Sequence, residues 1–368
     1  MIYKDFILNN DIWNFLTNLK QRDRIPNALL FHGNSGTGKE ATAIEFASYI
    51  NCEQESDKLA CGECLSCSRI KNNNYEYINY IFPLPRGKII SKKDGIDKSF
   101  TEKTLAEYNF ELKEKLENPF HEIVINGANT ILINSIRDIK KKLFRSTDQN
   151  IQKIVIIFES EKLCHPNQEA ANSLLKILEE PPPNSTFILV SSKSNLLLDT
   201  IKSRCIEVFF QKISSKQFSI YNSIDSSNID LYKLVGGNIK YAKKITEDYV
   251  YQLEDFIKNH HTRTQRNSKN IDLKLISYMS KLFKSDIFLF KIFIQGLKHY
   301  YKDILNLKLD KEEYRPTFEF LNNYDSKHTN KKTFNCINMI EDFENDMSIK
   351  LNLELSLFNL FYNLNSNK

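Results

Sequence analysis

Along the first two hundred residues, short continuous apolar runs alternate with stretches in which apolar positions recur every three or four residues. The runs at 28–32, 122–125, 154–158, 186–190 and 206–210 predict strands. Because they are continuous and do not alternate with polar residues, they fit strands covered on both faces, as in a parallel sheet between helices. Helical spacing marks 39–49, 134–145 and 168–179. The second of these puts Ile136, Ile139, Leu143 and Phe144 on one face and Arg137, Lys140, Lys141 and Lys142 on the other. Such a charged face reads equally well as solvated surface or as a contact with DNA or a partner. The third carries Ala170, Ala171, Leu174, Leu175 and Leu178 at core spacing and runs into prolines at 181–183, which cannot continue a helix.

After Gln211 the strand pattern fades and helical spacing takes over. Ile287, Phe290, Ile294, Leu297, Tyr301 and Ile304 make one long stripe, and Leu353, Leu357, Leu360 and Leu364 another. Residues 351–357 also alternate like a strand, but the length of the pattern favours a helix. Such stripes belong to a core. The segment 83–119 is polar, lysine-rich and weakly periodic, and reads as an insertion or a mobile excursion from the sheet. The expected organisation is an α/β domain over 1–212, a small helical region over 213–252 and an all-α domain over 253–368.

Composition adds limits more than direction. Hydrophobic residues at 41% and charged residues at 26% fit a soluble globular protein. A net charge of +5 suits work near nucleic acid, yet 51 basic against 46 acidic side chains is too balanced to demand it. The N-terminal stretch lacks the apolar centre of a signal peptide, and the greasiest run, 287–297, is interrupted by Lys291. The expectation is a cytoplasmic protein with no membrane contact. Of seven cysteines, four fall between Cys52 and Cys67. An odd total without a signal peptide argues against a disulfide framework.

Two motifs carry chemistry. Gly33-Asn-Ser-Gly36-Thr-Gly38-Lys39 follows the run at 28–32 and precedes a helical pattern, which is the strand–loop–helix setting of a phosphate loop. There the glycines let backbone N–H groups curl round phosphate oxygens, the helix N-terminus adds its dipole, and Lys39 reaches the outer phosphates. The next position in a working loop is Ser or Thr, which holds Mg²⁺; this chain has Glu40. A carboxylate repels phosphates and lacks the hydroxyl. At the end of the run 154–158, Phe158 stands where a metal-binding Asp is expected, with Glu159 beside it. Both departures predict that this loop does not hydrolyse ATP, and they weaken the case for binding it.

The second motif is Cys52-x8-Cys61-x2-Cys64-x2-Cys67. Short, turn-like spacings of this kind put four thiolates on one tetrahedral ion, Zn²⁺ above all. Gly62 eases the turn between ligands. Ser203-Arg204-Cys205, before the run at 206–210, gains meaning beside a phosphate loop, because ring ATPases complete each site with an arginine from a neighbouring subunit.

Together these residues resemble the clamp-loader branch of the AAA+ ATPases in bacteria, gamma/tau and delta-prime subunits. The likeness rests on FHGNSGTGKE, the cysteine module behind it, QEAANSLLKILEEPPPNSTFILVSS and IKSRC, and covers about 25–75 and 130–245. It implies an α/β ATPase domain with an inserted zinc module, a small helical lid, and a helical collar that assembles a hetero-pentameric ring. In such a ring the partners are gamma/tau and delta subunits, the sliding clamp and primer-template DNA. The resemblance puts Ser191 and Ser192 at the sensor-1 position and Lys240, in GGNIKYA, at the sensor-2 position, where active members usually carry Arg. It makes Arg204 an arginine finger acting in trans. Glu40 and Phe158 then point to the ATPase-inactive delta-prime type. An ATP-hydrolysing gamma/tau type, and a zinc-containing nucleic-acid-binding protein with a vestigial loop, remain as alternative readings.

Overall fold

The computed structural model describes the chain apart from residues 5, 7, 55–57, 87–99, 145–150, 222–228, 266–271, 310–313, 322–328, 347–351 and 367–368. It divides into two compact units, Met1–Lys212 and Ile213–Lys368.

The first unit is built on five strands: β1 (Ala28–Gly33), β2 (Ile78–Ile81), β3 (Lys153–Ile157), β4 (Ser185–Ser191) and β5 (Ile206–Phe210). They pair in the order β2-β3-β4-β1-β5, every pair parallel. Successive side chains of a strand point to opposite faces. Leu29 and Phe31 therefore join Ile154, Ile156, Ile188 and Val190 in one core, while Leu30 joins Val155, Ile157, Phe187 and Leu189 in the other. The first core is closed by α1 (Asn10–Gln21), α2 (Lys39–Ile50), α3 (Leu65–Lys71) and α4 (Glu102–Glu117). The second is closed by α5 (Ile133–Leu143), α6 (Glu169–Glu179) and α7 (Asp199–Lys202). Burial on both faces is why β1, β3 and β4 read as unbroken apolar runs, whereas the edge strand β5 buries only Val208 and Phe210. Each Val, Leu, Ile or Phe so buried contributes about 1.5–3 kcal/mol.

Two expectations change. Residues 122–125 are not a strand. The edge of the sheet is taken by β2, and 121–124 is tied instead to α4: the Glu111 carboxylate accepts from the Val124 N–H at 2.8 Å and pairs with His121 Nε2 at 2.8 Å. Within 83–119, α4 is part of the core, with Leu112 and Leu116 each 2% exposed.

The second unit is helical: α8 (Ser215–Tyr221), α9 (Leu231–Leu234), α10 (Ile239–Lys244), α11 (Glu247–Gln265), α12 (Leu273–Ser285), α13 (Ile287–Leu309), α14 (Asn330–Asp346) and α15 (Leu353–Ser366). The boundary expected between 252 and 253 falls inside α11. Helix α13 is the axis of this unit, with Phe290, Ile294, Leu297 and Tyr300 fully buried. Gly296 lets α11 lie close against it, since a Cβ there would come within 2.6 Å of Leu253 Cδ1. The buried Asp303 of α13 anchors the segment after it by accepting from Tyr314 Oη at 2.7 Å and the Thr317 N–H at 2.8 Å; burial pushes its carboxyl up to about 6. Among the described residues, no helix is long and apolar enough to cross a membrane.

Candidate functional site

The phosphate-loop sequence folds as a turn between β1 and α2. Gly33 ends the strand at φ +139°, and a Cβ there would sit 2.3 Å from the Phe210 carbonyl oxygen, so only glycine fits. Gly36 and Gly38 also take positive φ, and Gly38 caps α2 in the left-handed region. Lys39 is buried; its Nζ donates to the Gly33 carbonyl at 2.9 Å and to the Asn34 carbonyl.

Of the side chains expected to face a nucleotide, Glu40, Phe158, Glu159 and Ser191 are engaged within the chain. Glu40 forms an ion pair with Lys115 of α4, whose side chain is fully buried. Phe158, just past β3, is buried and stacks on Tyr80 with ring centroids 6.3 Å apart. Glu159 sits at φ +47° and pairs with Lys162 at 2.8 Å. Burial holds its carboxyl above the ordinary range, with the Glu161 and Glu40 charges adding and Lys162 opposing. Ser191 lies beside His32 in the β1–β4 register, and its hydroxyl donates to Glu161 at 2.7 Å. Ser192 is exposed. Lys240 belongs to the second unit, on α10.

Sequence reading missed Lys115, Glu161 and Glu179. Lys115 did leave a signal, since it shares a helical face with Leu112 and Leu116, where a lysine is out of place unless paired. The two glutamates left none.

The four cysteines converge. Their sulfurs all lie within 4.8 Å of one another. The Cys52–Cys64 and Cys61–Cys67 separations are 4.0 Å and Cys52–Cys67 is 3.7 Å, and none of the four forms a disulfide. A tetrahedral ion with bonds of about 2.3 Å to sulfur needs edges of about 3.8 Å, so the set fits one such ion. Backbone N–H groups already point at the sulfurs: those of Glu63 and Cys64 reach Cys61 Sγ at 3.4 and 3.2 Å, and that of Cys61 reaches Cys52 Sγ at 3.3 Å. The two donors draw the Cys61 thiol down to about 6, whereas burial pushes Cys52 and Cys67 up. Gly62, at φ +78°, passes so close to the Met1 carbonyl that a Cβ would lie 2.6 Å from its oxygen.

Arg204 lies just past α7. Its guanidinium donates to Glu179 Oε1 and to the Thr200 carbonyl, both at 2.8 Å, with 35% of the side chain exposed.

A parallel sheet with a glycine loop between β1 and α2, strand-end side chains gathered beside that loop, and helices following in a second unit define an AAA+-type P-loop protein. The family model described as "DNA polymerase III, delta subunit" matches residues 8–214, more than half of the chain, and the chain belongs to that family. Similar relatives include DNA polymerase III subunit tau of Bacillus subtilis, 27% identical over 58% of this chain and 30% of that one. Subunit delta-prime of Haemophilus influenzae is 24% identical over 63% of this chain and 58% of that one. The chain thus spans less than two thirds of either relative. A solved DNA polymerase III gamma subunit-related protein of Thermotoga maritima is 16% identical over 97% of this chain and 100% of that one, with a TM-score of 0.46. The family read from the loop, the cysteine module and the Ser203-Arg204-Cys205 stretch is the one that the family model and the two sequence relatives return.

Proposed function

We propose that this chain is a delta-prime-type subunit of a DNA polymerase III clamp loader: it helps place a sliding clamp on primed DNA, does not hydrolyse ATP itself, and lends Arg204 to a neighbouring ATPase subunit. One observation carries the reading. Glu40, Glu159 and Ser191 are each bonded to a side chain of the same chain, Lys115, Lys162 and Glu161, and Phe158 replaces the strand-end carboxylate. Arg204 is likewise paired within the chain, with Glu179, and both of these side chains are partly exposed. The partners on this reading are gamma/tau and delta subunits of a five-membered cytoplasmic ring. Zn²⁺ is the ion that suits Cys52, Cys61, Cys64 and Cys67, because four thiolates at tetrahedral spacing select it. The likeness to tau supports a second reading, an ATP-hydrolysing gamma/tau type.

The purified chain should turn ATP over only at background with Mg²⁺. In a complex rebuilt with gamma/tau and delta subunits, Arg204→Ala should leave assembly intact and lower turnover at the adjoining site by on the order of 10³, with lysine rescuing poorly because it lacks the planar fork. Strong Mg²⁺-dependent hydrolysis by the isolated chain, abolished by Lys39→Ala, would establish the gamma/tau type instead.

A further inference from the structure

Glu40 and Phe158 occupy the two positions at which a working phosphate loop holds its metal, the hydroxyl after the lysine and the carboxylate at the strand end. The structure brings the ammonium of Lys115 to both. Its Nζ pairs with Glu40 Oε2, donates to the His121 carbonyl at 2.7 Å and to the Pro119 carbonyl at 3.3 Å, and stands 6.0 Å from the centre of the Phe158 ring. An ammonium has three protons and no acceptor, and three oxygens take them here. The carboxylate balances its charge, and the face of an aromatic ring attracts a cation.

We propose that Lys115 is a built-in cation that has taken over the metal position, turning the former nucleotide centre into a buried ion-pair lock that fastens α4 to the phosphate loop. The inference rests on the reading that this loop has retired from hydrolysis, and it explains why the two departures occur together. A carboxylate and an aromatic ring spoil a Mg²⁺–phosphate site, yet they are what a buried ammonium needs. A second tie holds the same helix, because Tyr3 Oη donates to the Lys115 carbonyl at 2.8 Å while the Tyr3 N–H donates to Glu45 of α2 at 2.7 Å. With its protons committed to Glu40 and the two carbonyls, the ammonium has none left for a phosphate. The lock and a Mg²⁺–nucleotide therefore exclude each other.

The proposal reverses the usual expectation for Glu40→Thr. That substitution restores the residue of an active loop, but here it strands a buried ammonium. Breaking a buried pair from one side leaves an uncompensated charge, whereas replacing both partners is often close to neutral. In the full chain, Glu40→Thr and Lys115→Met should each lower the unfolding midpoint by roughly 10 °C, and the double variant should recover most of that loss. If a single variant fails to fold, a folded double variant is itself the recovery, and the milder Glu40→Gln closes the cycle with Lys115→Met. Losses that simply add, or a single variant that melts like the unmodified chain, would overturn the lock. Mg²⁺-dependent turnover by the unmodified chain is a separate result and would overturn the retired-loop reading.

Discussion

The cysteine module and the phosphate loop adjoin the same helix, α2, and both announce themselves as motifs, but the structure treats them differently. The module has a complete ligand set within sixteen residues, at separations that fit one ion. The loop keeps its backbone shape, with Gly33, Gly36 and Gly38 at positive φ, and Lys39 bonds within it, while Glu40, Glu159 and Ser191 pair with Lys115, Lys162 and Glu161. Shape and chemistry can therefore part company. The strand-to-helix turn requires glycine at position 33 whatever side chains stand at positions 40 and 158. A motif match reports the turn, and only the partners of each side chain report the chemistry.

The comparison is easiest to break at the module. If its order comes from the ion, removing metal with a chelator, or Cys64→Ser, should raise amide exchange across 58–71 on the order of 10³-fold or more while β1 and β4 keep their protection. The loosening should reach residues 1–3 as well, since the Met1 amine donates to the Ala60 carbonyl. About one ion per chain should be released. Unchanged exchange in the module would mean that packing alone holds it, and equal loss across the sheet would mean that the two sites are not separable.

Legibility in the sequence followed from how local each feature is. Four of the five strands were readable from their apolar runs: β1, β3 and β4 because they are buried on both faces, and the edge strand β5 because four of its five residues are apolar although only Val208 and Phe210 are buried. The fifth, Ile78–Ile81, is four residues long with Asn79 and Tyr80 inside it, too short and too polar to stand out, and 122–125 looked the better candidate. Its misreading has a definite cause: Ile125 is buried but Val124 is 66% exposed, and the hydrogen bonds go to Glu111, a side chain that no periodicity reveals. The same holds for the sites. The four cysteines could be assigned together because every partner is nearby, whereas the partner of Glu40 lies 75 positions away.

A smaller test sharpens the view that the loop's side chains now serve stability. Ser191→Ala removes a donor to the Glu161 carboxylate and the acceptor of the Lys193 N–H at 3.0 Å. Glu161 is only partly buried, so the cost should be near about 1.5 kcal/mol in denaturant unfolding, the lower end for a hydrogen bond to a charge. ATP turnover should stay at background. A change in nucleotide affinity with no loss of stability would show that Ser191 still serves a nucleotide, and the contrast with the cysteine module would shrink.

The smallest expected effect is the most discriminating, because it sets two glutamate–cation pairs of one domain against each other. Lys115–Glu40 and Arg204–Glu179 are both direct ion pairs, but the Lys115 side chain is fully buried, whereas Arg204 and Glu179 expose 35% and 51% of theirs. Water screens the second pair, and exposed pairs are typically worth under about 1 kcal/mol. Glu179→Ala should therefore leave the melting temperature within about 2 °C of the unmodified chain, where Glu40→Thr costs several times more. Such indifference is what a guanidinium needs if it is to leave Glu179 for another subunit's phosphate. A fall as large as that of Glu40→Thr would make Arg204–Glu179 part of the domain's own framework, joining the ends of α6 and α7. The arginine would then have a structural reason to be there, and the proposal that it acts in trans would lose its support.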